Sequence, residues 1–170
     1  MLPFSEASSS RIDLEPSSQG VSVEPLQFSD IESYINTVLV RIPNFDPEED
    51  ASIVAGLSGA YSRRLQLPEW WTMLVAKRGG KIVAGLEGEI DDSRESGKVN
   101  WVHVGHRFQR GKIATRLYAA YEEILRSSGI SQMTAYIDSQ NFASQAFHRT
   151  LGFEPYRRSR EGFMYRKSLR

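Results

Sequence analysis

The chain contains no cysteine. That excludes a disulfide framework, a thiolate zinc site and a covalent thiol nucleophile. It is compatible with a reducing compartment, and the cytoplasm is the expected location. No apolar run reaches the roughly 20 residues needed to span a bilayer, so no membrane association is expected. The first residues lack a basic segment followed by an apolar one, the pattern of a secretory signal. Net charge is also missing, with 21 Lys and Arg against 21 Asp and Glu. A neutral chain argues against general binding of nucleic acid, although Arg107, Arg110, Lys112 and Arg116 form a local basic patch. Histidine is scarce: His103, His106 and His148 are the only three. Their spacing matches no metal-ligand pattern, and no metal is expected.

What the chain does have is concentrated between Trp101 and Leu117. An apolar run ends near Val104, a polar turn follows, and a helix is predicted from about Gly111. Ile113, Leu117, Ala120, Tyr121 and Ile124 recur at helical spacing. A strand feeding such a turn aims several backbone N–H groups at one point, and the helix dipole adds partial positive charge. Arg110 and Lys112 add full charges. The turn therefore reads either as a phosphate or pyrophosphate pocket or as an ordinary strand–helix connection with a solvated basic surface.

Residues 1–20 are rich in Ser, Pro and polar groups and are expected to be a mobile tail. A single domain is expected over 21–170. Val21 to Leu26 alternates as a first strand. Ser29-Asp30-Ile31-Glu32 has the form of a capping box, opening a helix with Ile31, Ile35, Val38 and Leu39 inward. Pro43 and Pro47 interrupt the chain. A second helix is predicted from near Glu48 to Leu65, with Ile53, Leu57, Ala60 and Tyr61 inward. Trp71–Lys77 and Ile82–Asp91 read as a hairpin around Gly79-Gly80. Strict alternation would put Ile82, Ala84, Leu86, Gly88 and Ile90 on one face, and Val83, Gly85, Glu87, Glu89 and Asp91 on the other. That second face is either a solvated exterior or an anionic wall for a cationic amine. A strand over Val99–Val104 and the long helix to about Arg126 come next, with Ser127-Ser128-Gly129 as its stop. Then follow a strand over Met133–Asp138 and a short helix over Asn141–Leu151, with Ala143, Ala146, Phe147, Thr150 and Leu151 on one side. Strands over Phe153–Arg158 and Phe163–Ser168 close the chain around Glu161-Gly162.

Two stretches resemble signatures of the GNAT superfamily of N-acetyltransferases. In that family a V-x-V strand leads into Arg/Gln-x-x-Gly-x-Gly/Ala. Here Val102-His103-Val104 precedes Gln109-Arg110-Gly111-Lys112-Ile113-Ala114, with Lys112 in place of the central Gly. The second signature runs Asn-x-x-Ala, then Tyr, then Leu-Gly-Phe-Glu. Asn141 and Leu151-Gly152-Phe153-Glu154 match it, Ser144 replaces Ala, and His148 replaces Tyr. The order β-α-α-β-β-β-α-β-α-β-β agrees as well. The resemblance implies an α/β (α+β) fold: a mixed, mostly antiparallel sheet of about seven strands, splayed between the fourth and fifth, with about four helices. It further implies acetyl-CoA as co-substrate. The pantetheine would pair with Val102 and Val104 and touch Asn141, and the pyrophosphate would sit on the N–H groups of Gln109, Arg110, Gly111, Lys112, Ile113, Ala114 and Thr115. The first two helices would shape the acceptor side.

Direct transfer of the acetyl group to a primary amine needs a base for the ammonium, an N–H donor for the carbonyl oxygen, and some help for the leaving thiolate. His148 stands where the family's thiol-protonating Tyr is found, and as imidazolium it would serve as that acid; it also reads as a packed helix residue. Relatives that use a Glu on the strand before Asn141 have their counterpart here at Tyr136, and those that use one early on the V-x-V strand have theirs at Lys98. Glu87 and Glu89 are left as base candidates. His103 is another, equally suited to lining the acyl pocket. A small cationic acceptor is expected from the Glu87, Glu89 and Asp91 face. A peptide amine or a non-catalytic acyl-CoA sensor is the alternative, and a homodimer is compatible with either.

Overall fold

The computed structural model describes residues 20–39, 51–67 and 70–170. The tail expected over 1–20 lies outside them except for Gly20. Pro43, Pro47, the expected helix start at Glu48, and the side chains of Val38 and Leu39 also lie outside the described residues.

Strand β1 (Val21–Pro25) leads through a short 3-10 turn, Phe28–Asp30, into helix α1 (Ile31–Leu39). The expected capping box is displaced by two residues. Asp30, not Glu32, reaches back, accepting the Gln27 N–H at 3.3 Å. The same carboxylate accepts from the Lys77 ammonium at 2.8 Å. Ile31, Tyr34 and Ile35 are buried. Helix α2 (Ala51–Leu65) turns Val54, Leu57, Tyr61 and Leu65 inward. Leu57 and Tyr61 are inward as expected, but Ile53 is 49% exposed and Val54 takes its place.

Strands β2 (Trp71–Arg78) and β3 (Lys81–Ile90) form the expected hairpin. Gly79 and Gly80 hold φ of +55° and +76°, the left-handed pair that a two-residue turn requires. Alternation along β3 is broken, however. The register slips between Ala76 and Lys77 of β2, leaving Val83 of β3 as an extra residue. Ile82 therefore packs with Tyr34, Tyr61, Met73 and Val75, while Val83, Ala84 and Leu86 pack with the third helix. A bulge puts two successive side chains on one face, which strict alternation does not anticipate.

Strand β4 (Ser96–Val104), helix α3 (Ile113–Ser127), strand β5 (Gln132–Asp138), helix α4 (Phe142–Thr150), and strands β6 (Glu154–Arg158) and β7 (Gly162–Ser168) complete the order. The seven strands lie in the order β1-β2-β3-β4-β5-β7-β6. Every neighbour pair is antiparallel except β4 and β5. Helices α1 and α2 cover one face. On the other, α3 buries Ile113, Leu117, Tyr118, Ala120, Tyr121 and Leu125. Each large side chain so buried contributes roughly 1.5–3 kcal/mol. Helix α4 turns Gln145 and His148 inward with part of Phe147, and leaves Ala143, Ala146 and Thr150 exposed. The expected small-residue face is thus not the packed one, because Gln145 is drawn inward to donate to the carbonyls of Asp138 and Ser139.

Candidate functional site

The parallel pair β4/β5 is in register only from Ser96↔Gln132 to Val99↔Ala135. Beyond that point β4 runs on to Val104 and β5 to Asp138 without pairing to each other. Both strands point the same way, so the sheet opens at their carboxyl ends. A second bulge starts the opening. Glu87 pairs with Trp101, yet Gly88 pairs with Val99, leaving Asn100 as the extra residue. Tyr121 of α3 fits beneath it and donates to the carbonyls of Glu89 at 3.1 Å and Lys98 at 3.4 Å. Gly88 permits this: a Cβ there would meet the Tyr121 ring at 2.4 Å.

Past the bulge, β4 stays paired with β3 through Val104. The N–H of Gly105 donates to Val83 O at 2.7 Å. Because backbone groups alternate along a strand, those of His103 and Trp101 face β3 as well, and those of Val102 and Val104 face the opening. The Gln109 side chain donates to Val104 O at 3.4 Å.

The turn after β4 has a 3-10 segment, His106–Phe108, and then Arg110 and Lys112 with φ of +66° and +57°. Alternation with left-handed residues gathers successive N–H groups into an anion-binding concavity. Lys112, in the place of the family's Gly, still adopts the left-handed conformation, at a cost of about 1–2 kcal/mol. It is the N-cap of α3 and makes no side-chain cap. The first N–H groups of α3, at Ile113, Ala114 and Thr115, are therefore not capped by it. Arg110, Gly111, Lys112 and Thr115 are exposed, while Ile113 is buried and anchors the turn. Asn141, three residues beyond the end of β5, caps α4 by accepting the Ser144 N–H at 3.0 Å. Its amide nitrogen remains for a ligand.

On the α1/α2 face, Glu87 and Glu89 do share a side, but not as free charges. Glu87 is 6% exposed. One carboxylate oxygen accepts from the hydroxyls of Tyr34 and Tyr61, both at 2.9 Å. The other binds Arg64 at 3.0 Å. Burial and the adjacent carboxylate push both phenols well above their usual range. Arg64 also lies over Trp71, 4.5 Å from the ring centre. Glu89 pairs with Lys98 at 3.1 Å in a more exposed setting. Asp91 lies beyond β3 and holds the following turn, accepting from Ser96 Oγ at 2.8 Å and from the Glu95 N–H at 3.0 Å. Burial alone would raise its pKa, but the hydrogen bonds from Ser96, Ser93 and Glu95 outweigh it and hold it low. The expected wall of open carboxylates is thus corrected: protein groups already satisfy each one. Tyr34, Tyr61 and Arg64 were missed by the sequence reading. Only the i, i+3 spacing of Tyr61 and Arg64 hinted at a shared helix face.

On the other face His148 is 3% exposed. Its Nδ1–H donates to the Ser144 carbonyl at 2.8 Å, which leaves Nε2 to accept from the Tyr118 hydroxyl at 2.7 Å. Burial lowers its pKa, partly opposed by the Ser144 carbonyl. Tyr118, Phe147 and Phe153 pack edge-on around the ring. The imidazolium acid expected here is instead a neutral ring with both nitrogens engaged. His103 is buried on the α1/α2 face, in register with Gly85, and His106 is exposed.

Comparison with known proteins adds to this geometry. The model of the acetyltransferase (GNAT) family matches residues 45–153. No curated protein matches by sequence. Among solved structures, the PaiA N-acetyltransferase of Thermoplasma acidophilum in complex with coenzyme A aligns with TM-score 0.72 at 17% identity, over 88% of this chain and 99% of that one. Salmonella typhimurium yncA, solved with its cofactor acetyl-CoA, aligns with TM-score 0.69 at 17% identity, over 89% and 95%. The ribosomal-protein-S18-alanine N-acetyltransferase of Escherichia coli aligns with TM-score 0.67 at 12% identity, over 88% and 94%.

Proposed function

This chain belongs to the acetyltransferase (GNAT) family, and on that premise we propose that it transfers the acetyl group of acetyl-CoA to the primary amine of a peptide. The observation that carries the reading is the β4/β5 opening with the left-handed turn at its mouth. Acetyl-CoA would supply an acyl group already activated as a thioester. The backbone of Val102 and Val104 would hold the pantetheine as an added strand does. The concave turn from Gln109 to Thr115 would take the pyrophosphate, with Arg110 and Lys112 beside it. The Asn141 amide nitrogen would bind the arm. A β4 N–H is the donor for charge developing on the carbonyl oxygen.

An alkyl ammonium, with a pKa of about 10, must lose a proton before it attacks. Glu89 is our assignment for the base. Its partner Lys98 is half-exposed, and an exposed pair is worth at most about 1 kcal/mol, so an incoming ammonium can exchange with it. Glu87 is held by three donors, and exchange there would strand Arg64. The neutral His148 offers no proton at Nε2. The thiolate then leaves on its own acidity, a thiol having a pKa of about 8.5. His103 serves as a wall of the acyl pocket.

The small cationic acceptor expected from the carboxylate face loses most of its support, since Glu87 and Asp91 are held within the protein and Glu89 alone can exchange its partner for an ammonium. A peptide amine fits the open, aromatic-lined face around Trp101 and Tyr136, half of whose surface is exposed. The aligned Escherichia coli enzyme is itself named for a ribosomal-protein alanine. Thiol release from acetyl-CoA, read against peptides with unblocked N-termini and against polyamines, tests the assignment. Release with peptides is expected. Release with polyamines alone would return the cationic acceptor, and saturable acetyl-CoA binding with no release on any amine would favour the sensor.

A further inference from the structure

Charge is not spread evenly over this neutral chain. Residues 154–170 hold six of its 21 basic residues and only two of its 21 acidic ones. Of these six, Lys167 pairs with Glu122. None of the five arginines has an acidic partner among the described residues. Residues 154–161 are exposed throughout. Arg158 lies over Phe163 and Arg166 over Tyr156, at 5.8 and 5.3 Å from the ring centres.

The position of this hairpin matters more than its charge. Asp138, at the open end of β5, pairs with Gly162, and the Ser139 N–H donates to Glu161 O at 2.9 Å. The β6–β7 turn therefore flanks the mouth of the opening. Arg157 pairs with Met164, and Met164 with Tyr136. Paired residues share a face, so Arg157, Met164 and Tyr136 form one row that ends at the gap. Ala135 and Ile137 point to the opposite side, into the core with α3. The row thus lies on the Trp101 and Glu87 face, where an acceptor amine would approach. Arg157 stands two strand spacings, roughly 10 Å, from Tyr136.

We propose that this arginine hairpin is the docking surface for an acidic segment of the acceptor peptide, a few residues beyond the amine that is acetylated. This rests on the acyl-transfer reading and on a peptide acceptor. Charge complementarity carries it: Arg157, in the row that ends at the gap, and Arg160, in the turn beside it, have no acidic partner among the described residues, while Glu87 and Asp91 are already held by protein donors. Recognition is by side chains. Pro155 has no N–H, and the register slip between Pro155 and Arg157 pushes Tyr156 out of the ladder, so the β6 edge is a poor template for strand pairing. A whole-chain charge of zero and the confinement of the patch to one hairpin favour a peptide over a nucleic acid.

The test uses three peptide libraries with unblocked N-termini and a randomised first residue. The next four positions are all acidic, all neutral amide or all basic. Acetylation is read by mass spectrometry at low salt. The acidic library is expected to react about three- to tenfold faster than the neutral one, the range that a few exposed charge pairs supply, and the advantage should shrink as salt rises. In the Arg157→Glu/Arg160→Glu variant the acidic-to-neutral ratio should fall to one or below. Arg157→Gln/Arg160→Gln should give an intermediate ratio, and matched circular dichroism would show both variants folded. Equal rates on all three libraries, or an acidic preference that survives the charge reversal, would overturn the docking surface alone. Turnover of polyamines but of no library would overturn the peptide acceptor as well. Retention of single-stranded nucleic acid, lost in the charge-reversed variant, would reassign the hairpin.

Discussion

Two buried polar clusters sit on opposite faces of the same sheet, and they solve the same problem in opposite ways. Glu87 is buried as a charge. Arg64, Tyr34 and Tyr61 surround it with donors, so its cost of leaving water is met by one ion pair and two hydroxyls. His148 is buried as a neutral ring, with one carbonyl below and one hydroxyl above. The first cluster ties α1 and α2 to β3 and fixes the acceptor side. The second ties α3 to α4 and fixes the side that carries the anion-binding turn. The difference teaches where charge remains for chemistry. Of the groups that look catalytic in the sequence, Glu87 and His148 are fully engaged, and Glu89, whose partner Lys98 is half-exposed, is the most accessible.

The charged cluster should break more severely. Arg64→Met keeps the stem packed on Trp71 but leaves Glu87 buried without its counter-charge. Loss of one partner of a fully buried pair costs about 3–5 kcal/mol. Arg64 is about one-third exposed, so about 2–3 kcal/mol is expected, read as a lower midpoint in urea unfolding. A change below about 0.5 kcal/mol would mean that the pair does not organise this face.

The neutral cluster should show itself through pH instead. Burial holds the folded pKa of His148 below the ordinary imidazole value of 6.5. The unfolded chain therefore binds the proton more readily. The stability contributed by the neutral ring is complete above about pH 6.5 and falls as the solution becomes more acidic. His148→Gln cannot take up that proton. The variant is expected to be less stable at neutral pH, by about 1–2 kcal/mol for the weakened Tyr118 contact, and to lose less stability than the wild type between pH 7 and 5. Parallel pH curves for the two proteins would show that His148 is not buried neutral.

Local pattern made much of the fold legible. The Gly79-Gly80 turn, the succession of elements along the chain and the strand–turn–helix from Trp101 to Leu117 follow from residue type and spacing, whereas the splayed mixed sheet followed only from the family resemblance. What alternation missed has one physical cause on both edges of β3. Bulges at Val83 and at Asn100 each add a residue to a strand, and nothing in Ile82-Val83-Ala84 or Val99-Asn100-Trp101 signals them. The first moves Ile82 to the other core. The second starts the opening. The turn between β4 and α3 was readable despite Lys112, which keeps the left-handed conformation, because backbone geometry there is set by the strand before and the helix after. The partners of Glu87 and His148 were not readable. Tyr34, Tyr61, Arg64 and Tyr118 reach them from helices 23 to 53 residues away in sequence, and no local period encodes such a meeting. The arginine hairpin was not singled out in the sequence, and its place beside the opening came only from the β5–β7 register.

Calorimetric titration with acetyl-CoA tests the central claim most directly, because the opening between β4 and β5 and the Arg110–Thr115 turn together constitute the proposed site. The account predicts saturable binding of one equivalent per chain, weakened as salt rises through the pyrophosphate contacts. No binding at millimolar acetyl-CoA would contradict it, and would mean that Lys112 in the left-handed position closes the turn that every other feature of the site depends on.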